Sequence, residues 1–167
     1  MSIEPNILLR PYQSSDWPDL CEVHDLARRD ELVGSVNPEA FLTLEATYES
    51  EGLFDGEVWV AHVDDRIVGF VAAADDEVNW LYVHPDCYRK GAGRKLLKLI
   101  LSRCGPVVET TALEGNKAAS QLYLSEGFEV VERRVGKLVG NDRFDAAGLI
   151  MKRDAARVLS QGEASND

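Results

Sequence analysis

The segment Leu81-Tyr82-Val83-His84-Pro85-Asp86-Cys87-Tyr88-Arg89-Lys90-Gly91-Ala92-Gly93-Arg94-Lys95-Leu96-Leu97 carries the clearest chemistry in the chain. A run of strand formers leads into a loop with two glycines, and the loop leads into an amphipathic helix. Gly91 and Gly93 lack a Cβ, so another group can approach the backbone closely. The helix N-terminus that follows presents unpaired N–H groups and the positive end of a dipole. Arg89, Lys90, Arg94 and Lys95 add positive charge in an otherwise acidic chain. These are the parts of a diphosphate site. Two common phosphate loops are excluded. The Lys and Ser/Thr of a GxxxxGK[ST] loop are missing, and Leu96 stands at the third glycine of a GxGxxG fingerprint.

A second segment, Asn116 to Phe128, reads N-x-x-A-x-x-L-Y-x-x-x-G-F. Its Asn116, Ala119 and Tyr123 recur at helical spacing, and Gly127 stops the helix.

The elements around these segments set their relation. Ile7 to Arg10 reads as a first strand, and Asp16 caps a helix carrying Trp17, Leu20, Val23, His24 and Ala27. A second helix is expected from Pro38 to about Ser50, burying Phe41, Leu42, Leu44 and Ala46. Val58 to Val63 and Ile67 to Ala73 form a hairpin about Asp64-Asp65-Arg66, and Val78 to Val83 follows after Asp75-Asp76. Turns this short require antiparallel pairing. Leu96, Leu97, Ile100, Leu101 and Cys104 share a helical face, Gly105-Pro106 ends it, and Val107 to Ala112 is a strand. Strands near Phe128 to Val131 and Ala147 to Met151 complete the series. The expected fold is α/β, one domain over residues 1–159, with a mixed, mostly antiparallel sheet flanked by helices. Residues 160–167 read as a disordered polar tail.

Here the chain resembles the GNAT superfamily of acyl-CoA-dependent N-acyltransferases. The Leu81–Leu97 segment looks like its strand, pyrophosphate loop and helix, and Asn116–Phe128 like its following motif. The resemblance covers about Val78 to Phe128 and implies a seven-stranded sheet with about four helices. It implies acetyl-CoA as acyl donor and an amine as acceptor, joined by direct attack in a ternary complex. Leu81, Tyr82 and Val83 would pair with the pantetheine arm. Tyr88, Arg89, Lys90, Gly91, Ala92, Gly93, Arg94 and Lys95 would surround the pyrophosphate. Asn116 would bond the arm or the loop, Ala119 would let the cofactor pass, and Tyr123 would protonate the departing thiolate. The strands before and after the loop helix would splay to form a slot for the thioester. The loop departs from the family's Q/R-x-x-G-x-G/A at its first place, where Tyr88 stands and Arg89 comes one step late. The alternative is an acyl-CoA-binding sensor without catalysis. Similar proteins often dimerise, so a homodimer is expected.

Acyl transfer to an amine also needs an oxyanion donor and a base. The Val83 N–H is the candidate donor. Glu77, Glu109 and Glu114 are candidate bases, Glu109 on the strand that would face the slot. Direct transfer leaves Cys87 without a nucleophilic role, and His84 beside Pro85 reads as a loop-structuring residue. Asp25, Asp30 and Glu31 hint at a cationic acceptor.

Composition bounds the rest. The net charge of −11 disfavours nucleic acid and anionic lipid. No apolar run is long enough to span a membrane, and Met1 to Pro5 has no signal-peptide pattern. Cys21, Cys87 and Cys104 are odd in number and lack metal-ligand spacing, which fits a reducing cytoplasm and no metal site.

Overall fold

The computed structural model describes residues 5–164. Among the described residues, seven strands form one sheet: β1 Leu8–Pro11, β2 Glu57–Val63, β3 Arg66–Ala74, β4 Glu77–Val83, β5 Val107–Leu113, β6 Glu129–Leu138 and β7 Asn141–Asp154. Their spatial order is β1-β2-β3-β4-β5-β7-β6, and β4–β5 is the parallel pair. Five helices accompany them: α1 Trp17–Ser35, α2 Leu44–Thr47, α3 Ala92–Arg103, α4 Lys117–Ser125 and α5 Ala155–Ala164. Asp64, Asp75 and Asp76 hold the two early turns with positive φ, as tight hairpins between right-twisted strands require.

Strand alternation divides the core into two layers. On one face Val68, Val71 and Ala73 of β3 meet Leu96, Leu97 and Ile100 of α3 and Tyr123 of α4. On the other Ile67, Phe70 and Ala72 meet Leu20 and Val23 of α1 and Leu44 of α2. The sheet therefore separates a face covered by α3 and α4 from one covered by α1 and α2.

Three expectations change. The helix expected from Pro38 to Ser50 is a 3-10 turn at Pro38–Ala40 and a single helical turn at Leu44–Thr47. Asp25 accepts the Leu44 N–H at 2.9 Å and Thr43 caps Ala46, so the backbone breaks between the two pieces. Of the expected core positions Leu44 is buried and Phe41 half-buried, while Leu42 and Ala46 are exposed. The late strands run far beyond the apolar stretches that signalled them. Cross-strand pairing from Glu129↔Lys152 to Leu138↔Asn141 extends them through largely exposed residues. Residues 160–164 belong to α5, which continues past the expected domain end, and 165–167 lie outside the described residues.

One backbone approach locks the two helical layers together. Gly115 has φ +100, and a Cβ there would lie 2.4 Å from the carbonyl oxygen of Gly34. The end of α1 thus rests directly on the loop that starts α4. Gly115→Ala adds both strain and a backbone clash, so we expect a loss of about 1–3 kcal/mol. Thermal unfolding should show it as a clear drop in Tm. Gly136→Ala is the comparison: its Cβ would meet nothing within 4 Å, and its Tm should stay near the wild-type value.

Candidate active site

The parallel pair β4–β5 lasts for two residues, Glu77↔Glu109 and Val78↔Thr110. Beyond them the strands part. The cause lies in β4, where Ala73 faces Val78 but Ala72 faces Trp80, leaving Asn79 as a bulged residue. The bulge reverses the alternation. Val78 points to the α3 face, whereas Trp80 and Tyr82 point to the α1 face. The separation expected from the family resemblance is therefore present, and its root is at Val78–Thr110.

Main-chain groups line one wall of the split. His84 donates its N–H to Val68 O at 2.8 Å, in register with Gly69↔Val83 and Phe70↔Tyr82. An antiparallel ladder alternates, so Tyr82 turns its N–H and C=O to β3 while Leu81 and Val83 turn theirs away from it, toward the split. Of the three expected main-chain partners, two face the slot. Tyr82 contributes its side chain on the α1 face instead.

At the root, the Thr110 hydroxyl donates to Val78 O at 2.8 Å. The Tyr123 phenol lies beside Thr110, and burial pushes it up to about 12. Its ring meets Phe128 edge-on at 5.3 Å. Ala119 is half-buried and packs against the same core. Asn116 caps α4 by accepting the Ala119 N–H at 3.3 Å, and its Nδ2 donates to Glu31 Oε2 at 2.8 Å.

The loop joins the other end of β4. His84 accepts the Asp86 N–H at 3.1 Å, confirming its structuring role, and a 3-10 turn spans Pro85–Cys87. Arg89 (φ 61) and Gly91 (φ 91) are both left-handed, so the backbone curls into a concave turn ahead of α3. Lys95 donates its N–H to Gly91 O at 3.1 Å. The N–H groups of Ala92, Gly93 and Arg94 precede that bond and have no intrahelical acceptor. Gly93 is helical, so its value lies in space rather than in positive φ. A Cβ there would sit 3.5 Å from Leu122 and 3.6 Å from Val83. The Ala92 side chain is buried in the core, leaving its N–H to serve the loop. Arg94 is paired with Glu126 at 2.8 Å and Lys95 reaches Ile7 O at 3.3 Å. Arg89 and Lys90 are exposed at the loop itself. Tyr88 stands near Asp30 of α1, and partial burial together with that carboxylate raises its phenol.

On the α1 face the split opens into a cleft of about 560 Å³ between α1, α2, β4 and the β6–β7 hairpin. Arg28, Glu31, Glu51 and Glu77 line it. The candidate bases separate here. Glu77 faces the cleft. Glu109 is exposed at the closed end of the split, between Glu77 and Lys152, and lies outside the cleft lining although strand alternation puts it on the same face as Thr111 and Leu113, which do line the cleft. Glu114 is ion-paired with Arg133, which lowers its carboxyl. Glu51 escaped the sequence reading, since nothing local distinguishes it from a solvated acid. Burial raises its carboxyl, more than Arg28 and Thr47 lower it. Among the described residues no group of His, Cys, Asp and Glu could hold a metal ion, and no helix could cross a membrane.

Comparison with known proteins agrees with this geometry. The model of the acetyltransferase (GNAT) domain matches residues 54–130. The N-acetyltransferase YafP of Escherichia coli, itself uncharacterized, is 27% identical over 133 residues, covering 77% of this chain and 85% of that protein. The peptidyl-lysine N-acetyltransferase YjaB of Escherichia coli is 32% identical over 99 residues, covering 56% of this chain and 67% of YjaB. Among solved structures, a GCN5-related N-acetyltransferase from Rhodopseudomonas palustris superposes with TM-score 0.73 at 18% identity over 92% of this chain and 99% of its own. The Salmonella typhimurium protein yncA, solved with its cofactor acetyl-CoA, gives TM-score 0.61 at 23% identity over 89% and 94%. The seven-stranded sheet, its split and these relatives together place the chain in the GNAT superfamily of acetyltransferases.

Proposed function

We propose that this acetyltransferase moves the acetyl group of acetyl-CoA directly onto a primary amine held in the cleft. The observation that carries the reading is the continuity of three features. The concave loop and free N–H groups at the start of α3 lead to the exposed main chain of Leu81 and Val83, and then to the Tyr123 phenol at the root of the split.

The pyrophosphate is held by the free N–H groups of Ala92, Gly93 and Arg94 and the turn ahead of them, with charge from Arg89 and Lys90. The pantetheine arm pairs with Leu81 and Val83 as an added strand. The neutral amine attacks the thioester carbonyl, and the Val83 N–H stabilises the oxyanion. The C–S bond then breaks, and the thiolate takes the Tyr123 proton. The amine proton passes to a cleft carboxylate. Glu51 and Glu77 face the cleft, and burial raises the Glu51 carboxyl, which strengthens it as a base. The three free cysteines agree with a reducing, cytoplasmic setting.

The test mixes the protein with acetyl-CoA and a panel of polyamines, aminoglycosides, amino acids and peptides, following free thiol. Acetyl-CoA should raise the melting temperature, and at least one amine should release thiol. Stabilisation without thiol release across the panel would mark a binding module. No stabilisation would remove acetyl-CoA from the site.

A further inference from the structure

Past Val78 and Thr110 no β4–β5 ladder pairs the two walls of the split. Its width must be set by something other than backbone pairing. One side chain touches both walls. Glu31 of α1 accepts the Tyr82 hydroxyl at 3.2 Å on Oε1 and the Asn116 Nδ2 at 2.8 Å on Oε2. Tyr82 belongs to β4. Asn116 caps α4, directly after the loop that leaves β5. The carboxylate thus spans the mouth of the split from the acceptor side.

We infer that Glu31 is a positioning residue for acetyl transfer, bridging Tyr82 and Asn116 so that the mouth of the split keeps the width that acetyl-CoA needs. The inference rests on the reading of the split as the acetyl-CoA slot.

The bridge is built to stay in place. Arg28 pairs with Glu31 one helical turn away, and both side chains are only 16% exposed. Such a pair, fully hydrogen-bonded, costs much to break from one side. Tyr82 remains a protonated donor, because burial and the neighbouring Glu31 raise its phenol well above the usual range. Gly115 lets the α1 end approach the α4 start closely enough for Glu31 to reach Asn116. The adjacent residue of α1, Asp30, stands near Tyr88 of the phosphate loop. Two neighbouring acids on one helix therefore face the loop, β4 and α4. Tyr88 stands where the family's loop usually has Gln or Arg, and here its ring lies on the α1 side of the loop.

The experiment compares Glu31→Ala, Glu31→Gln and Tyr82→Phe with wild type. Acetyl-CoA affinity is read by calorimetry, kcat and acceptor KM by thiol release, and amide exchange at residues 81–83 and 117–120 by mass spectrometry. Wild-type binding of acetyl-CoA comes first: its absence would sink the assignment of the slot itself and with it the inference. Given that binding, Glu31→Ala should weaken acetyl-CoA by about tenfold or more and speed exchange on both walls. Glu31→Gln should recover part of the affinity, since its amide oxygen still accepts from Tyr82 or Asn116. Tyr82→Phe should cost affinity in wild type and less in the Glu31→Gln background, because one amide oxygen cannot hold both donors as the two carboxylate oxygens do. This pair keeps the proposal testable if Glu31→Ala does not fold. Unchanged acetyl-CoA affinity in folded Glu31 variants, with the whole effect in acceptor KM and equal in Ala and Gln, would overturn it. Additive Tyr82 and Glu31 effects would do so as well.

Discussion

Tyr123→Phe is expected to lower kcat by about ten- to a thousandfold, the modest end of general acid catalysis for a leaving group as good as a thiolate. The substitution keeps the ring that packs on Phe128 and removes only the hydroxyl beside Thr110. Acetyl-CoA affinity and Tm should move little, the pattern of an interaction made mainly in the transition state. The pH profile gives a second reading. Burial pushes the Tyr123 phenol up to about 12, so the acid stays protonated throughout an assay between pH 6 and about 10. Any rise of kcat/KM with pH therefore reports deprotonation of the amine or of its base, and no fall from Tyr123 should appear within that range. Full activity in Tyr123→Phe would make water or the incoming amine the proton source.

Gly93→Val is expected to weaken acetyl-CoA by about a hundredfold or more, ~2.7 kcal/mol, in a protein that still folds. Gly93 is helical, and a Cβ there would make ordinary contact with Leu122 at 3.5 Å and Val83 at 3.6 Å. Valine also has the better helix propensity, so no stability penalty arises from the backbone. Its added methyl groups instead fill the approach to the free N–H groups of the first turn, where the pyrophosphate must come close. Gly91 differs: its φ of 91 makes any side chain there strained, so a Gly91 variant would mix binding with folding. Calorimetry and thermal unfolding together decide the matter. Unchanged affinity in folded Gly93→Val would remove the first turn of α3 from the cofactor site.

These expectations draw on features of two kinds. The loop ahead of α3 and the helix after Asn116 are legible in the chain because their signals are local. The hairpin turns at Asp64 and Asp75 belong to the same class, since φ preference is a property of a residue and its neighbours. Family resemblance made Tyr123 and Asn116 candidates, and α4 does bring Tyr123 to the root of the split.

Other features depend on contacts between distant residues. Asn79 is an ordinary strand residue in sequence. It becomes a bulge only because β3 pairs with β4 in two offset registers, and that offset turns Trp80 and Tyr82 to the acceptor side. Glu109 sits on the right strand, but the two-residue pairing with β4 leaves it at the closed end. The expected second helix breaks before Leu44 because Asp25, 19 residues away, takes the Leu44 N–H. Glu31 and Asn116 are 85 residues apart, and their contact needs the glycine at 115 to let two backbones meet. Local propensity decides which segments bend, cap and coil. Register, bulges and close backbone approach are settled by packing across the whole sheet, and those determine which of the chain's many carboxylates face the chemistry.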